Sequence, residues 1–169
     1  QDLHCAPVQL KAAADLCARY PNIGVCIDHF GKPRMLLGPD DERNDNTIPD
    51  ETELTTWREG MIALAALPNV HVKLSMLGYC IPGWSNNVAR TALLRTLIRE
   101  MVALFGPKRC MVATNWWKNA ALSDSDGLSA VGPDPVQLVT WLSEILSDYS
   151  QEDRNSIFCG TARAFYKID

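Results

Sequence analysis

From residue 69 the chain alternates without a slip. In NVHVKLS, Val70, Val72 and Leu74 fall on one side, and His71, Lys73 and Ser75 on the other. Successive side chains of an extended strand point to opposite faces, so the spacing predicts a strand over 69–75 with one apolar and one polar face. NIGVCID (22–28) is a near-continuous apolar run, the pattern of a strand covered on both faces. DLHC (2–5) and RCMVAT (109–114) complete four strand candidates.

Between these runs the period lengthens to that of a helix. PVQLKAAADLCARY (7–20) places Leu10, Ala13, Leu16 and Tyr20 on one face, with Pro7 suited to a first turn. Residues 51–67 repeat the pattern through Leu54, Trp57, Met61 and Leu64. In 87–106, Leu93, Leu94, Leu97, Ile98, Met101 and Phe105 make one stripe, and Gly106-Pro107 stops the helix. Asp134 and Pro135 take the N-cap and first-turn positions of a further helix, with Leu138, Trp141, Leu142 and Ile145 facing inward. Ser150 and Asp153 resemble a capping box for a last short helix ending near Gly160.

The result is a strand-helix rhythm repeated four times, which predicts an α/β domain over 1–169 with parallel strands: half of a (β/α)8 barrel or a small open sheet. Helix-to-strand links are tight, whereas the loops leaving the strands (29–50, 76–87 and 115–133) are long. Parallel sheets carry their chemistry where those loops lie, which places a site around His4, Asp28, His29, Ser75, Thr114 and Asn115.

Composition narrows the classes. Of 169 residues, 47% are hydrophobic and 21% charged, the balance of a globular protein with a real core. A net charge of −4 argues against an electrostatic grip on nucleic acid or an anionic membrane. Apolar runs are broken well short of the roughly 18 residues a bilayer span needs. Six scattered cysteines without a C-x-x-C pair read as reduced thiols, and hence as a cytoplasmic protein. The S-x-x-K and G-x-S-x-G nucleophile signatures, a Gly-rich phosphate loop and a metal-spaced Cys/His cluster are all missing.

Four segments carry a family resemblance. VCIDHFGKP resembles the "DH-G-P" strand end of the amidohydrolase-related (amidohydrolase 2) family, and ALPNVHVKLSML its "A-PNV-vKlSGl" segment. LFGPKRCMVATNWW is similar to its final barrel strand, and IFCGTARAFYKI to its closing helix. Their order implies the C-terminal half of a TIM barrel, strands five to eight, in the branch that holds lactone hydrolases. The family's first strand, with its H-x-H pair, has no counterpart here.

The resemblance makes His29 the first candidate, as metal ligand or as a donor to substrate; imidazole suits either because its pKa lies near neutrality. His4, at the matching end of the first strand, is a second candidate metal ligand, whereas His71, in mid-strand, reads as structural. Lys73 and Ser75 share the polar side of their strand as substrate contacts, Lys73 toward a carboxylate. Lys32 and Arg34 follow His29 as anion contacts. Asn115 stands where many relatives have an Asp; its amide orients water or donates a hydrogen bond but takes no proton at neutral pH. Trp116, with Trp117, walls the pocket. The acidic run 38–51 reads as a solvated loop.

Three functions follow. The first is a hydrolase that opens a lactone or cyclic ester of a sugar acid or carboxylated aromatic catabolite by water attack on the carbonyl. The second is a metal-dependent decarboxylase of the same superfamily. The third is a catalytically incomplete half-barrel that packs or dimerises. The residues fix no cofactor; the resemblance implies at most one divalent metal, Zn or Mn, in a full-length protein. The expected partner is a small carboxylate or lactone, with self-association through unpaired sheet edges.

Overall fold

The computed structural model describes residues 1–38, 46–115 and 134–168. Four parallel strands, β1 (Asp2–Leu3), β2 (Val25–Ile27), β3 (Val70–Leu74) and β4 (Cys110–Val112), lie side by side in chain order. All four are shorter than their apolar runs, because the chain leaves the ladder wherever a loop begins. The register pairs Asp2 with Cys26, Cys26 with His71, and Lys73 with Met111.

Alternation then divides the sheet. Val25, Ile27, Val70, Val72, Leu74 and Cys110 join the main core, packed with Leu54, Trp57, Met61 and Leu64 of α2 (Glu51–Ala65) and Leu94, Leu97, Ile98 and Met101 of α4 (Val88–Phe105). Cys26 and Met111 are equally buried but lie outside that cluster, on the opposite face with His71 and Lys73.

Side-chain caps fix the helix starts, at Asp134 as the sequence foreshadows. Asp50 accepts from the Glu53 N–H at 2.8 Å to start α2, and Asn87 accepts from the Arg90 N–H at 3.1 Å to start α4. Asp134 accepts from the Val136 and Gln137 amides to start α5 (Pro135–Ile145). Arg109, at the entry to β4, donates to the carbonyls of Phe105, Ala65, Leu67 and Val70, tying the base of the sheet to two helix ends.

Three expectations need correction. In α1 (Leu10–Arg19) the buried face is Leu10, Ala13, Ala14 and Cys17, whereas Leu16 and Tyr20 are 49% and 55% exposed. The i, i+3, i+4, i+7 set wins because small side chains let α1 press onto α2: a Cβ on Gly60 would stand 2.4 Å from Leu10 Cβ. Second, the loop after β3 folds into a short helix, α3 (Leu77–Cys80). Third, the last helix does not end near Gly160. After α6 (Gln151–Asn155), capped by Ser150, the chain runs through a π turn (Ser156–Gly160) into α7 (Thr161–Tyr166). Phe165 of α7 rests 4.7 Å from the His71 ring, on the face the core leaves open, and a Cβ on Gly24 would meet it at 3.2 Å.

Gly60→Ala forces α1 and α2 apart. We expect a loss of about 1–3 kcal/mol, the usual cost of overpacking, read as a lower midpoint in urea unfolding with little change in slope.

Candidate active site

β2 ends at Ile27, and the backbone turns left-handed soon after. His29 (φ 53°), Phe30 (φ 60°), Gly31 (φ 69°) and Lys32 (φ 47°) follow one another in that conformation. Each residue with a Cβ costs about 1–2 kcal/mol there, so such a run persists only where its surroundings dictate it. The Phe30 ring is fully buried at 5.1 Å from the Trp57 ring, and the Trp57 indole N–H donates to the Phe30 carbonyl at 2.8 Å. Gly31 is the one residue that fits its place, since a Cβ would stand 2.9 Å from Met61 Sδ.

The turn aims His29 at the exit of β3, where its Nδ1 lies 3.0 Å from Ser75 Oγ. Ser75 is fully buried. Its hydroxyl, expected as a substrate contact, meets the His29 ring one residue past the end of β3. The His4 ring stands edge-on to His29 at 4.9 Å, and Tyr79 lies 6.4 Å away. Burial pushes the His29 pKa down to about 4, with Asp28 opposing and the positive charges of His4, Lys73 and Lys32 adding to the fall. His4 is also lowered, by burial and then by Lys32. Both rings are neutral at neutral pH.

Two cations flank the same ring: Lys32 Nζ is 5.4 Å and the Arg34 guanidinium 5.1 Å from the Tyr79 centroid. His4, Pro7, Lys32, Arg34 and Glu53 line an open pocket of about 270 Å³ beside them. Tyr79 carries no signal in the sequence; it sits in a loop whose helical turn was unforeseen.

Lys73 departs from expectation. Its ammonium is 2.7 Å from Asp28 Oδ1 and 3.4 Å from Asp2 Oδ2, so two of the chain's own carboxylates already hold it. The Tyr166 hydroxyl donates to Asp2 at 2.6 Å, and its ring lies 5.3 Å from Lys73 Nζ. Burial alone depresses the Lys73 pKa, but the bonds to Asp28 and Tyr166 outweigh it and the net shift is upward. Lys73 therefore stays charged, with two carboxylates of the chain beside it.

Asn115 lies beyond β4, tied to the exit of β3 by the Ala113 N–H bond to the Leu74 carbonyl at 3.4 Å. It too is left-handed (φ 52°), and its Oδ1 is buried without a hydrogen-bond partner among the described residues. A buried acceptor in that state is a place for water or a substrate donor. Trp116 and Trp117, expected as pocket walls, lie outside the described residues, as do residues 39–45 of the acidic run. His71 is half-buried against Phe165, far from the strand exits, as its mid-strand position implied.

Among the described residues the donor set does not by itself make up a metal centre. His4 and His29 offer two nitrogens, and zinc sites take three or four protein ligands. Among the described residues the one group of three donors within 4.8 Å is Asp2, Cys26 and Asp28. Lys73 already supplies its positive charge, and burial pushes the Cys26 thiol up to about 12, so it stays protonated.

The Amidohydrolase family model (Amidohydro_2) matches residues 1–168, and the chain belongs to that family. It is 28% identical to an L-fucono-1,5-lactonase from Burkholderia ambifaria, over 99% of this chain and 50% of that protein. A second L-fucono-1,5-lactonase, from Burkholderia multivorans, is 26% identical over 95% of this chain and 48% of the relative. In three dimensions it resembles a zinc-bound amidohydrolase from Burkholderia multivorans (TM-score 0.73, 23% identity), covering 99% of this chain and 52% of that one. The chain thus spans about half the length of the relatives it matches, and its four parallel βα units are those of a half-barrel. None of its described helices is long and apolar enough to cross a membrane.

The lowered histidine pKa values have a stability consequence. Between about 4 and the ordinary 6.5 the unfolded chain binds a proton at position 29 that the folded chain refuses. Stability therefore rises with pH through that window and is lost as pH falls toward 4. Thermal melting followed from pH 7 to pH 4 will show this slope, and His29→Gln will make it shallower.

Proposed function

We propose that the protein forms part of a hydrolase that opens a lactone or similar cyclic ester bearing a carboxylate. The observation that carries this reading is the neutral His29 ring, tethered through Nδ1 to Ser75 beside a pocket edged by Lys32 and Arg34. A neutral imidazole polarises a ring carbonyl through the nitrogen that Ser75 does not occupy, and it does so without becoming charged in a half-buried place. Asn115 orients the attacking water, its orphaned oxygen supplying the acceptor. Lys32, with Arg34 on the same tyrosine, holds the substrate carboxylate, the role first expected of Lys73.

The two relatives named as L-fucono-1,5-lactonases support lactone chemistry, and the zinc in a structural relative supports a divalent metal in the family. Among the described residues two histidines fall short of a metal site, so no step of the reading runs through one. The sheet order leaves one edge of β1 and one of β4 without a neighbour among the described residues, and unpaired edges favour association with a second copy or a complementary half-barrel.

Hydrolysis of L-fucono-1,5-lactone and of a carboxylated lactone, followed by acid release, tests the reading. His29→Ala should lower kcat on both by roughly 100-fold or more, the usual worth of a positioned polar catalyst. Lys32→Ala should raise KM for the carboxylated substrate alone. Wild-type turnover unchanged by His29→Ala would overturn the assignment.

A further inference from the structure

We infer that Trp57, a core residue of α2, is the positioning residue of this site: its indole N–H, bonded to the Phe30 carbonyl, fixes the left-handed turn that carries both His29 and Lys32. The catalytic meaning of this inference rests on the reading of His29 and Lys32 given above; the geometry of the turn does not.

Four consecutive left-handed residues do not hold themselves. Within the turn the Lys32 N–H bonds to the His29 carbonyl at 2.9 Å, and the remaining restraint arrives from outside. On the helix side, Trp57 is fully buried and delivers its one polar hydrogen to Phe30, the residue between His29 and Gly31. Its Nε1 also stands 3.1 Å from where a Gly31 Cβ would be, so the indole fills the inside of the turn as well as bonding to it. On the sheet side Ser75 holds the His29 ring. The turn is therefore clamped between α2 and β3. Further along, the Asp50 N–H bonds to the Leu36 carbonyl at 2.7 Å, fastening the loop's return to the start of the same helix.

This arrangement moves His29 and Lys32 as one body. Without the indole N–H the Phe30 carbonyl is buried and unbonded, and the backbone relaxes toward the ordinary φ range to find another donor. That rotation swings His29 away from Ser75 and Lys32 away from Tyr79 together. A residue that only filled the core would leave both side chains where they are.

The test is Trp57→Phe in the intact chain, which keeps an aromatic ring and removes the donor. Side-chain nitrogen NMR reads the result directly, since the protein has three histidines and His71, in mid-strand against Phe165, serves as an internal reference. The expected outcome is that His29 changes from one neutral tautomer to a mixture, and that the shifts marking positive φ at 29–32 disappear, while His71 stays put. Met61→Leu, which touches the same turn without a polar bond, should leave His29 unchanged. His29 signals identical in Trp57→Phe and wild type would overturn the inference. Should Trp57→Phe fail to fold, exchange of the Trp57 indole proton in the wild-type protein decides: exchange as slow as core amides supports the bond, and rapid exchange refutes it. If His29→Ala leaves hydrolysis untouched while Trp57→Phe still disturbs the His29 ring, the functional reading falls and the positioning role stands.

Discussion

The pleat of four parallel strands in register is the constraint from which the rest follows. Because parallel pairing sets same-face residues side by side, Val25, Ile27, Val70, Val72 and Leu74 pack together against the helices. The same geometry forces Cys26, His71, Lys73 and Met111 onto the other face. A slip of one residue in β3 would exchange its two faces and put Lys73 into the core. The core and the polar chemistry of this chain are thus two consequences of one register.

That second face shows what stands opposite Lys73. A lysine on a strand looks available in sequence, because sequence does not reveal what stands opposite. The register brings Asp2 next to Cys26, and Asp28 follows Ile27 at the exit of β2, so Lys73 meets two carboxylates at once. A partly buried charge without a partner is costly, and the chain resolves the cost internally. Tyr166, from the opposite end of the sequence, completes the arrangement by bonding to Asp2. Lys32 and Arg34, to which the proposed reading gives the anion, lie beyond the strand end against the aromatic face of Tyr79.

Much of the fold was legible because its signals are local. The alternation of 69–75, the stripe of α4, and the caps at Asp134 and Ser150 each depend on residues a few positions apart, and each appears as read. His29 and Ser75 were legible as neighbours from the spacing of two strand ends. What stayed hidden depends on distant partners. Trp57 reads as one more core residue until the Phe30 carbonyl is seen beneath it. The face of α1 was misjudged by one position because its choice is made by Gly60, some fifty residues away. The final helix passed Gly160 because Phe165 and Tyr166 find His71 and Asp2, contacts no local pattern announces.

Left-handed residues recur at three of the four strand exits: His29 after β2, Met76 after β3 and Asn115 after β4. A parallel strand must reverse sharply to reach its covering helix, and a residue at positive φ achieves this in one step. The strain falls on the edge of the sheet where side chains of neighbouring exits meet. Identity at each exit answers to backbone and chemistry together. Met76 is buried and answers to packing. Asparagine is among the residues that tolerate this backbone best, so its presence at 115 would follow from conformation alone. Conformation, however, makes no demand on where the amide oxygen ends. An Asn serving the turn would bond its own chain or face solvent, whereas Asn115 Oδ1 is buried without a hydrogen-bond partner among the described residues, beyond the strand that pairs with β3. On the proposed reading, that unpaired acceptor, rather than the residue type, is what position 115 offers the site.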